Sequence, residues 1–212
     1  MKDLLRLNDC VAVLNAINTA IQENVTTLCE LDSVIGDGDH GTTLARGLKA
    51  GVEAVDAKPP ASITELFQVM GKTMVSSMGG ASGPLFGSLF HAMGTACKDR
   101  EILYTADVHA MFEAGATKVM RLGKAERGHK TLLDSLLPGI ESLEASATNG
   151  TNLHDAMQRM AEAAEAGAES TKDMVAKSGR ARYAGDRALG RADAGATSIA
   201  LMIRAFAETA AQ

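Results

Sequence analysis

Apolar residues recur at spacings of three and four along most of this chain, which is the pattern of amphipathic helices. In the first segment Leu7, Val11, Leu14 and Ile17 keep this spacing, and we predict one helix over residues 2–29. No segment alternates apolar and polar residues as a half-buried strand would. The pattern therefore predicts an all-α fold.

Proline, glycine and capping side chains divide the rest of the chain into seven further helices. We predict them at about residues 40–57, 63–78, 85–97, 108–122, 132–143, 153–177 and 197–210. Most connections are short, so neighbouring helices are expected to run antiparallel. No change of composition marks a linker, and residues 1–212 are therefore predicted to form a single domain.

Alternate connections between these eight helices differ in character. Those after the first, third, fifth and seventh helices are rich in glycine and charge, and they comprise residues 32–40, 79–83, 123–131 and 178–195. The other three connections are plain. Alternate connections of an up-and-down helical array lie at the same end. We therefore expect the four unusual loops to meet and to form a functional site.

Composition excludes several classes of protein. The net charge is −5, and the chain has neither a basic stripe nor aromatic platforms for bases, so no nucleic-acid partner is expected. Cys10, Cys29 and Cys97 lie far apart in apolar patterns, which favours buried thiols over a disulfide framework or a zinc site. Without a signal segment or a long apolar run, we predict a cytoplasmic protein and not a membrane protein.

The first unusual loop carries three carboxylates and three glycines within residues 31–43. Asp32, Asp37 and Asp39 would repel one another without a cation among them, and their oxygens suit Mg²⁺. The glycines free backbone N–H groups for an anion beside a helix N-terminus. Neither register of the loop supplies the glutamate of an EF-hand. The loop therefore predicts magnesium–phosphate chemistry.

Two other loops offer groups for phosphate. Residues 123–131 look like a P-loop, but His129 separates the second glycine from Lys130 and no strand precedes the loop, which argues against that motif. Lys130 and Thr131 remain candidates for polar contacts at a helix start. The last loop holds a cluster of arginines that suits either phosphate oxygens or an exposed, salt-bridged loop: Arg180, Arg182, Arg187 and Arg191.

Five motifs, in order, resemble the nucleotide-binding L subunit of dihydroxyacetone kinase, the DhaL family. They are LDSVIGDGDHG at residues 31–41, GGASGPLFG at 79–87, GKA at 123–125, KT at 130–131 and DAGATS at 193–198. The resemblance covers nearly the whole chain. It implies a barrel of eight antiparallel amphipathic helices with the nucleotide site at one rim.

The resemblance also assigns roles to residues of this chain. Asp32, Asp37 and Asp39 would hold two Mg²⁺ ions, and Asp37, Asp39 and Arg180 would act in catalysis. The residues expected around ADP or ATP are His40, Gly41, Thr42, Thr43, Ala81, Ser82, Gly123, Thr131, Leu132, Arg180, Asp193, Ala194 and Gly195. The chain departs from the family at His129, where members often have aspartate, and at Ala194, where they often have proline.

The function that the resemblance implies needs a second protein. A separate K subunit would bind dihydroxyacetone or a related short ketose, and this chain would supply the phosphoryl group from a magnesium-bound nucleotide. The donor is either ATP or an ADP that stays bound and is recharged by an M-type protein of the phosphotransferase system. The sequence leaves open whether the chain forms a homodimer. The alternative function is a nucleotide-sensing regulatory module without turnover of its own.

Overall fold

Nine α-helices account for most of the computed structural model, which describes residues 3–34, 36–179 and 185–210, with the backbone alone at positions 186 and 187. They are α1 (Leu7–Glu23), α2 (Val25–Ser33), α3 (His40–Ala57), α4 (Ile63–Ser77), α5 (Ser82–Ala96), α6 (Thr105–Gly123), α7 (Leu133–Thr148), α8 (Leu153–Ser170) and α9 (Ala194–Ala210). Short 3-10 segments occupy Thr171–Asp173 and Gly185–Ala188. The predicted all-α fold is confirmed.

The first predicted helix is in fact two helices. α1 and α2 are separated by Asn24, whose backbone leaves the helical region at φ −107° and ψ 12°. The Asn24 side-chain amide donates to the carbonyl oxygen of Ala20 at 2.8 Å. Asparagine competes in this way for backbone hydrogen bonds and favours helix ends. The apolar spacing continues across the break, which is why the pattern alone predicted one helix.

The seventh predicted helix was also too long. α8 ends at Ser170 and passes into a 3-10 turn, whereas the pattern predicted helix as far as residue 177. The hydroxyls of Ser170 and Thr171 donate to the carbonyl oxygens of Gly167 and Ala168, at 2.7 and 2.5 Å. These side chains take up carbonyl groups at the end of the helix, and the chain then enters its last long loop.

Eight of the nine helices close into a ring. From α3 to α9 each helix packs against the next along the chain, and α1 packs against both α3 and α9, while α2 lies against α3 and α9 beside it. This closed ring is the predicted barrel of eight helices. None of the described helices is long and apolar enough to cross a bilayer.

The plain connections meet at the end of the barrel away from the glycine-rich loops. Leu5 and Leu103 exchange backbone hydrogen bonds at 2.9 Å, in an isolated antiparallel bridge that joins the start of α1 to the connection before α6. Nearby, the Thr105 hydroxyl donates to the carbonyl oxygen of Thr151 at 3.2 Å. These bonds tie the segment before α1 to the connection before α6, and the start of α6 to the connection before α8.

Residues from all nine helices form one buried apolar cluster inside the ring. Among them are two phenylalanine pairs, with ring centroids 6.3 Å apart for Phe67 and Phe90 and 5.8 Å apart for Phe112 and Phe206. The prediction that the thiols are buried is confirmed for Cys10 and Cys97, whereas Cys29 is partly exposed. Burial raises the pKa of the Cys10 and Cys97 thiols to about 12.

α4 and α5 are in direct backbone contact through two glycines. A Cβ atom at Gly71 would lie 2.4 Å from the carbonyl oxygen of Gly87, and one at Gly87 would lie 2.7 Å from the carbonyl oxygen of Gly71. No side chain fits at that distance. The two helices are joined by the short glycine-rich turn at residues 78–81.

Gly71→Ala is expected to destabilise the protein although alanine is the better helix former, since the added methyl group must push α4 and α5 apart. Overpacking of this kind costs about 1–3 kcal/mol, and each kcal/mol lowers the melting temperature by roughly 2–4 °C in a chain of this size. Gly123→Ala is the control, because a Cβ atom there would meet only the Leu85 side chain, at 3.5 Å. Equal melting temperatures for the two variants would contradict this account of the contact.

Candidate functional site

The four unusual loops meet at one end of the barrel, as predicted, and enclose a cleft. Its volume is about 1090 Å³, including the part open to solvent. The residues that line it are Asp32, Asp37, Asp39, His40, Gly79, Gly80, Ala81, Ser82, Leu85, Phe86, Lys130, Thr131, Leu132, Ser178, Gly179, Asp193, Ala194 and Gly195. Each of the four loops contributes to this lining.

Four helices begin at the cleft. α3 begins at His40, α5 at Ser82 and α9 at Ala194, and Leu132 immediately precedes α7. The first N–H groups of a helix have no partner within the helix, and the helix dipole makes that end partly positive. Four such ends around one cleft favour an anion between them.

The acidic loop places its three carboxylates together at one side of the cleft. One oxygen from each of Asp32, Asp37 and Asp39 lies within 4.8 Å of the others. The Asp32 carboxylate is held in place, because its Oδ2 accepts the N–H groups of Gly38 at 2.9 Å and of Asp39 at 3.1 Å. Gly36 is needed here, since a Cβ atom at that position would lie 2.2 Å from Asp32 Oδ1.

The residues present fit a hard divalent cation. Carboxylate oxygens are the ligands that Mg²⁺ prefers, and it usually takes one or two of them together with water and phosphate oxygens. Three carboxylates this close repel one another, so a cation among them is strongly favoured. The helix N-termini on the other sides of the cleft then suit the anionic partner of the cation.

His40 connects three helices at the base of the cleft. Its Nε2 lies 3.2 Å from the Ser198 hydroxyl of α9, and its ring centroid lies 6.0 Å from that of Phe86 in α5. Burial lowers the pKa of the imidazole, and the nearby Asp32 and Asp39 oppose that shift. The side chain therefore acts as a packed, hydrogen-bonded link between the walls of the cleft.

Asp193 begins the wall formed by α9. Its carboxylate accepts the N–H group of Ala196 at 2.8 Å, and its own N–H group donates to the Thr171 hydroxyl at 2.8 Å. Burial raises the pKa of the carboxyl to about 6, although the bond from Ala196 and the charge of Lys130 act in the opposite direction. Gly195 packs closely on Leu132, since a Cβ atom at Gly195 would lie 3.4 Å from the Cβ atom of Leu132.

Lys130 does not direct its ammonium at the cleft as the lysine of a P-loop would. Its side chain is 1% exposed, and Nζ donates to three backbone carbonyl oxygens, those of Thr171, Ala188 and Arg191. Thr131 is tied to its own loop, since its N–H group donates to Asp134 Oδ2 at 2.8 Å. The predicted polar contacts at this helix start are thus made largely within the protein.

His129, one of the two departures from the family pattern, joins two of the loops. Its Nδ1 lies 3.1 Å from the Ser178 hydroxyl, and its carbonyl oxygen accepts the N–H group of Lys177 at 3.1 Å. Ala194, the other departure, is the first residue of α9 and is buried. Both departures therefore lie where the third and fourth loops form the wall of the cleft.

The structure brings most of the predicted site residues together in the lining: Asp32, Asp37, Asp39, His40, Ala81, Ser82, Thr131, Leu132, Asp193, Ala194 and Gly195. Four others lie behind it. Gly41 packs against α2, Thr42 and Thr43 bond back to the Asp39 carbonyl oxygen, and Gly123 lies beside Leu85. Arg180 and Arg182 lie outside the described residues, as do the side chains of Asp186 and Arg187.

Some lining residues were not among the predicted site residues. Leu85 and Phe86 form an apolar wall in the first turns of α5, and an apolar pair directly after a glycine-rich turn was the available signal. Ser178 and Gly179 also line the cleft. Nothing in the local pattern distinguishes these two residues, because they reach the site through the fold of a long loop.

Comparison with known proteins decides the family. Residues 34–208 match the DAK2 domain family. The chain belongs to this family. The ADP-binding subunit DhaL of PEP-dependent dihydroxyacetone kinase 1 from Listeria innocua is 39% identical over 196 residues, which cover 92% of this chain and 93% of that protein. The corresponding Escherichia coli subunit is 40% identical over 180 residues, covering 85% of this chain and 86% of its own.

A solved structure has the same fold. The dihydroxyacetone kinase of C. freundii in complex with AMP-PNP and Mg²⁺ superposes with a TM-score of 0.74 at 27% identity, covering 93% of this chain and 33% of that longer chain. These matches confirm the resemblance to the DhaL subunits. They also confirm the prediction that the chain is a kinase subunit of the dihydroxyacetone kinase type.

The buried carboxyl of Asp193 is expected to make stability depend on pH in the protein free of metal and nucleotide. Its folded-state pKa of about 6 lies above the ordinary value of 3.8, so its contribution to stability is full below about pH 4 and is lost as the pH rises through 6. Between pH 5 and 7 the wild type should lose roughly 1 kcal/mol relative to Asp193→Asn.

Urea unfolding of both proteins at several pH values measures this difference. Asparagine keeps the side-chain oxygen that accepts the Ala196 N–H group, so the cap of α9 is preserved in the variant. A difference between the two proteins that stays constant from pH 5 to 7 would show that the carboxyl is not perturbed.

Proposed function

We propose that this chain is the ADP-binding subunit of a dihydroxyacetone kinase and transfers a phosphoryl group to dihydroxyacetone, or a related short ketose, held on a separate K subunit. One observation carries the proposal. Three clustered carboxylates and the N-termini of four helices line one cleft, which provides for a cation and for a polyphosphate side by side. The names of the two DhaL relatives support the choice of nucleotide and substrate.

The nucleotide lies across the rim in this proposal. Its phosphates meet the start of α5 at Ala81 and Ser82 and the start of α9 at Ala194 and Gly195, because the first N–H groups of a helix have no partner within it and suit an anion. The base packs on the apolar wall that includes Leu85. Flat aromatic rings bury well against such a wall.

Asp32, Asp37 and Asp39 would hold two Mg²⁺ ions beside the phosphates. When bound, Mg²⁺ supplies charge neutralisation on the phosphate oxygens and orients them for in-line transfer. The protein's own part is positioning: the Gly38 and Asp39 N–H groups fix the Asp32 carboxylate. Arg180 is the proposed cationic partner for charge that develops on the transferred group.

The K subunit is proposed to dock over the same rim. Among the described residues, five of the six large apolar side chains that are most exposed lie near this end of the barrel: Val75, Met120, Leu122, Val175 and Leu189. Exposed apolar side chains grouped at one end of a protein favour a protein partner there. The docked subunit would exclude water from the phosphates and place the ketose hydroxyl in line with them.

The donor proposed here is a phosphotransferase-system protein of M type that recharges a tightly held ADP, because both DhaL relatives are named as PEP-dependent. Three measurements test this. The purified chain should retain ADP through gel filtration. With K subunit and dihydroxyacetone it should turn over with the phosphotransferase proteins and PEP. With free ATP alone it should be inactive.

The same assay separates the competing functions. Turnover with ATP alone would replace the phosphotransferase donor by exchange of free ATP. Turnover with erythrulose in place of dihydroxyacetone would change the substrate and leave the mechanism intact. Nucleotide binding without turnover of any short ketose by either donor would favour a nucleotide-sensing regulatory module.

Asp37→Asn is expected to weaken magnesium-dependent ADP binding at least about tenfold, because it removes one charged ligand from the cation site. Isothermal titration with ADP, with and without Mg²⁺, measures the change, and circular dichroism checks that helix content is kept. Asp99→Asn is the control, since Asp99 is an exposed aspartate at the opposite end of the barrel. Normal magnesium-dependent binding by Asp37→Asn would remove this residue from the site.

A further inference from the structure

Among the residues whose side chains the structure describes, Lys130 is the most deeply buried charged one, at 1% exposure. Its three ammonium hydrogens are matched by three backbone carbonyl oxygens, at 2.7 Å for Thr171, 2.7 Å for Ala188 and 2.8 Å for Arg191. An ammonium group has three donors and no acceptor, so this set satisfies it completely. A buried cation without such partners would be costly.

The three carbonyl groups belong to separate parts of one long loop. Thr171 lies just after α8, Ala188 ends the second 3-10 segment, and Arg191 lies two residues before Asp193. Lys130 itself immediately precedes Thr131 at the start of α7, with a left-handed φ of 58°. One side chain therefore fastens both ends of the loop between α8 and α9 to the neighbouring wall of the cleft.

Weaker links support the same connection. The Gly190 N–H group donates to the Lys172 carbonyl oxygen at 2.8 Å, and the Asp193 N–H group donates to the Thr171 hydroxyl at 2.8 Å. These are neutral hydrogen bonds, whereas the three Lys130 bonds are donated by one charged ammonium group and are stronger. Arg191 lies two residues before Asp193, so the ammonium group is linked through the chain to the start of α9.

We propose that Lys130 is the positioning residue of the nucleotide cleft: it holds the loop before α9 so that Asp193, Ala194 and Gly195 face the ligand, and it makes no contact with phosphate itself. The proposal rests on the proposed function for the identity of the ligand. It assigns to this lysine a different task from the phosphate-binding lysine of a P-loop, which the local sequence imitates.

The test compares Lys130→Met with the wild type. Methionine has a similar unbranched stem and carries the same Cβ in the left-handed backbone, so the variant removes the three donors and little else. Lys172→Met is the matched control, because Lys172 belongs to the same loop and its ammonium pairs at the surface with Glu169.

Two measurements are made on each protein. Hydrogen exchange of the nucleotide-free protein reports on the peptide that covers residues 185–197. Titration with ADP and Mg²⁺, well below the melting temperature, reports the dissociation constant of the folded protein. For Lys130→Met we expect faster exchange confined to the loop and the start of α9, and a dissociation constant raised by about tenfold or more. Lys172→Met should match the wild type in both.

Other outcomes overturn the proposal. A raised dissociation constant with unchanged exchange would mean that Lys130 contacts phosphate directly. Faster exchange throughout the barrel with an unchanged dissociation constant would mean that Lys130 only stabilises the fold. Failure of the wild type to bind ADP with Mg²⁺ would overturn the proposed function and its nucleotide, and the exchange comparison would still decide whether Lys130 fixes the loop.

A second variant keeps the test decisive if Lys130→Met does not fold. Lys130→Gln keeps two N–H donors on a shorter side chain and is expected to show both effects in part, with exchange faster and affinity lower than in the wild type. Wild-type exchange and wild-type affinity in Lys130→Gln would show that the third bond and the charge are dispensable, and that result contradicts the proposal.

Discussion

Closure of eight antiparallel helices into a ring is the constraint on which the rest of this structure depends. Once α1 packs against both α3 and α9, the direction of every helix is set by its place in the ring. α3, α5, α7 and α9 must then begin at the same rim. The dipoles of these four helix ends add at one rim, and the acidic loop supplies the opposite charge beside them.

Two kinds of contact keep this arrangement in register. Inside the ring, small residues allow close approach, as where α4 meets α5 through Gly71 and Gly87. At the rim, polar side chains join neighbouring elements, and His40 and Lys130 are the clearest cases. The apolar core therefore holds the helices together, while buried polar groups decide how their ends are arranged around the cleft.

Much of this arrangement follows from local sequence. The period of the apolar residues predicts helices, and the alternation of plain and glycine-rich connections predicts which loops meet. Features that depend on distant partners do not follow. The helix break at Asn24 is hidden by a continuing apolar pattern, and the role of Lys130 depends on carbonyl groups more than forty residues away. Backbone carbonyls carry no side-chain signature, so no motif marks the residue that will bind them.

The hydrogen bond between His40 and Ser198 joins residues 158 positions apart in the chain. The walls of the cleft are thus drawn from both ends of the polypeptide, and no single fragment of the chain contains them. A ligand that binds there recognises only the completed ring, so its binding energy adds to the stability of the whole protein in proportion to the logarithm of its concentration. The level of such a ligand thereby becomes a determinant of how long this chain survives between synthesis and degradation.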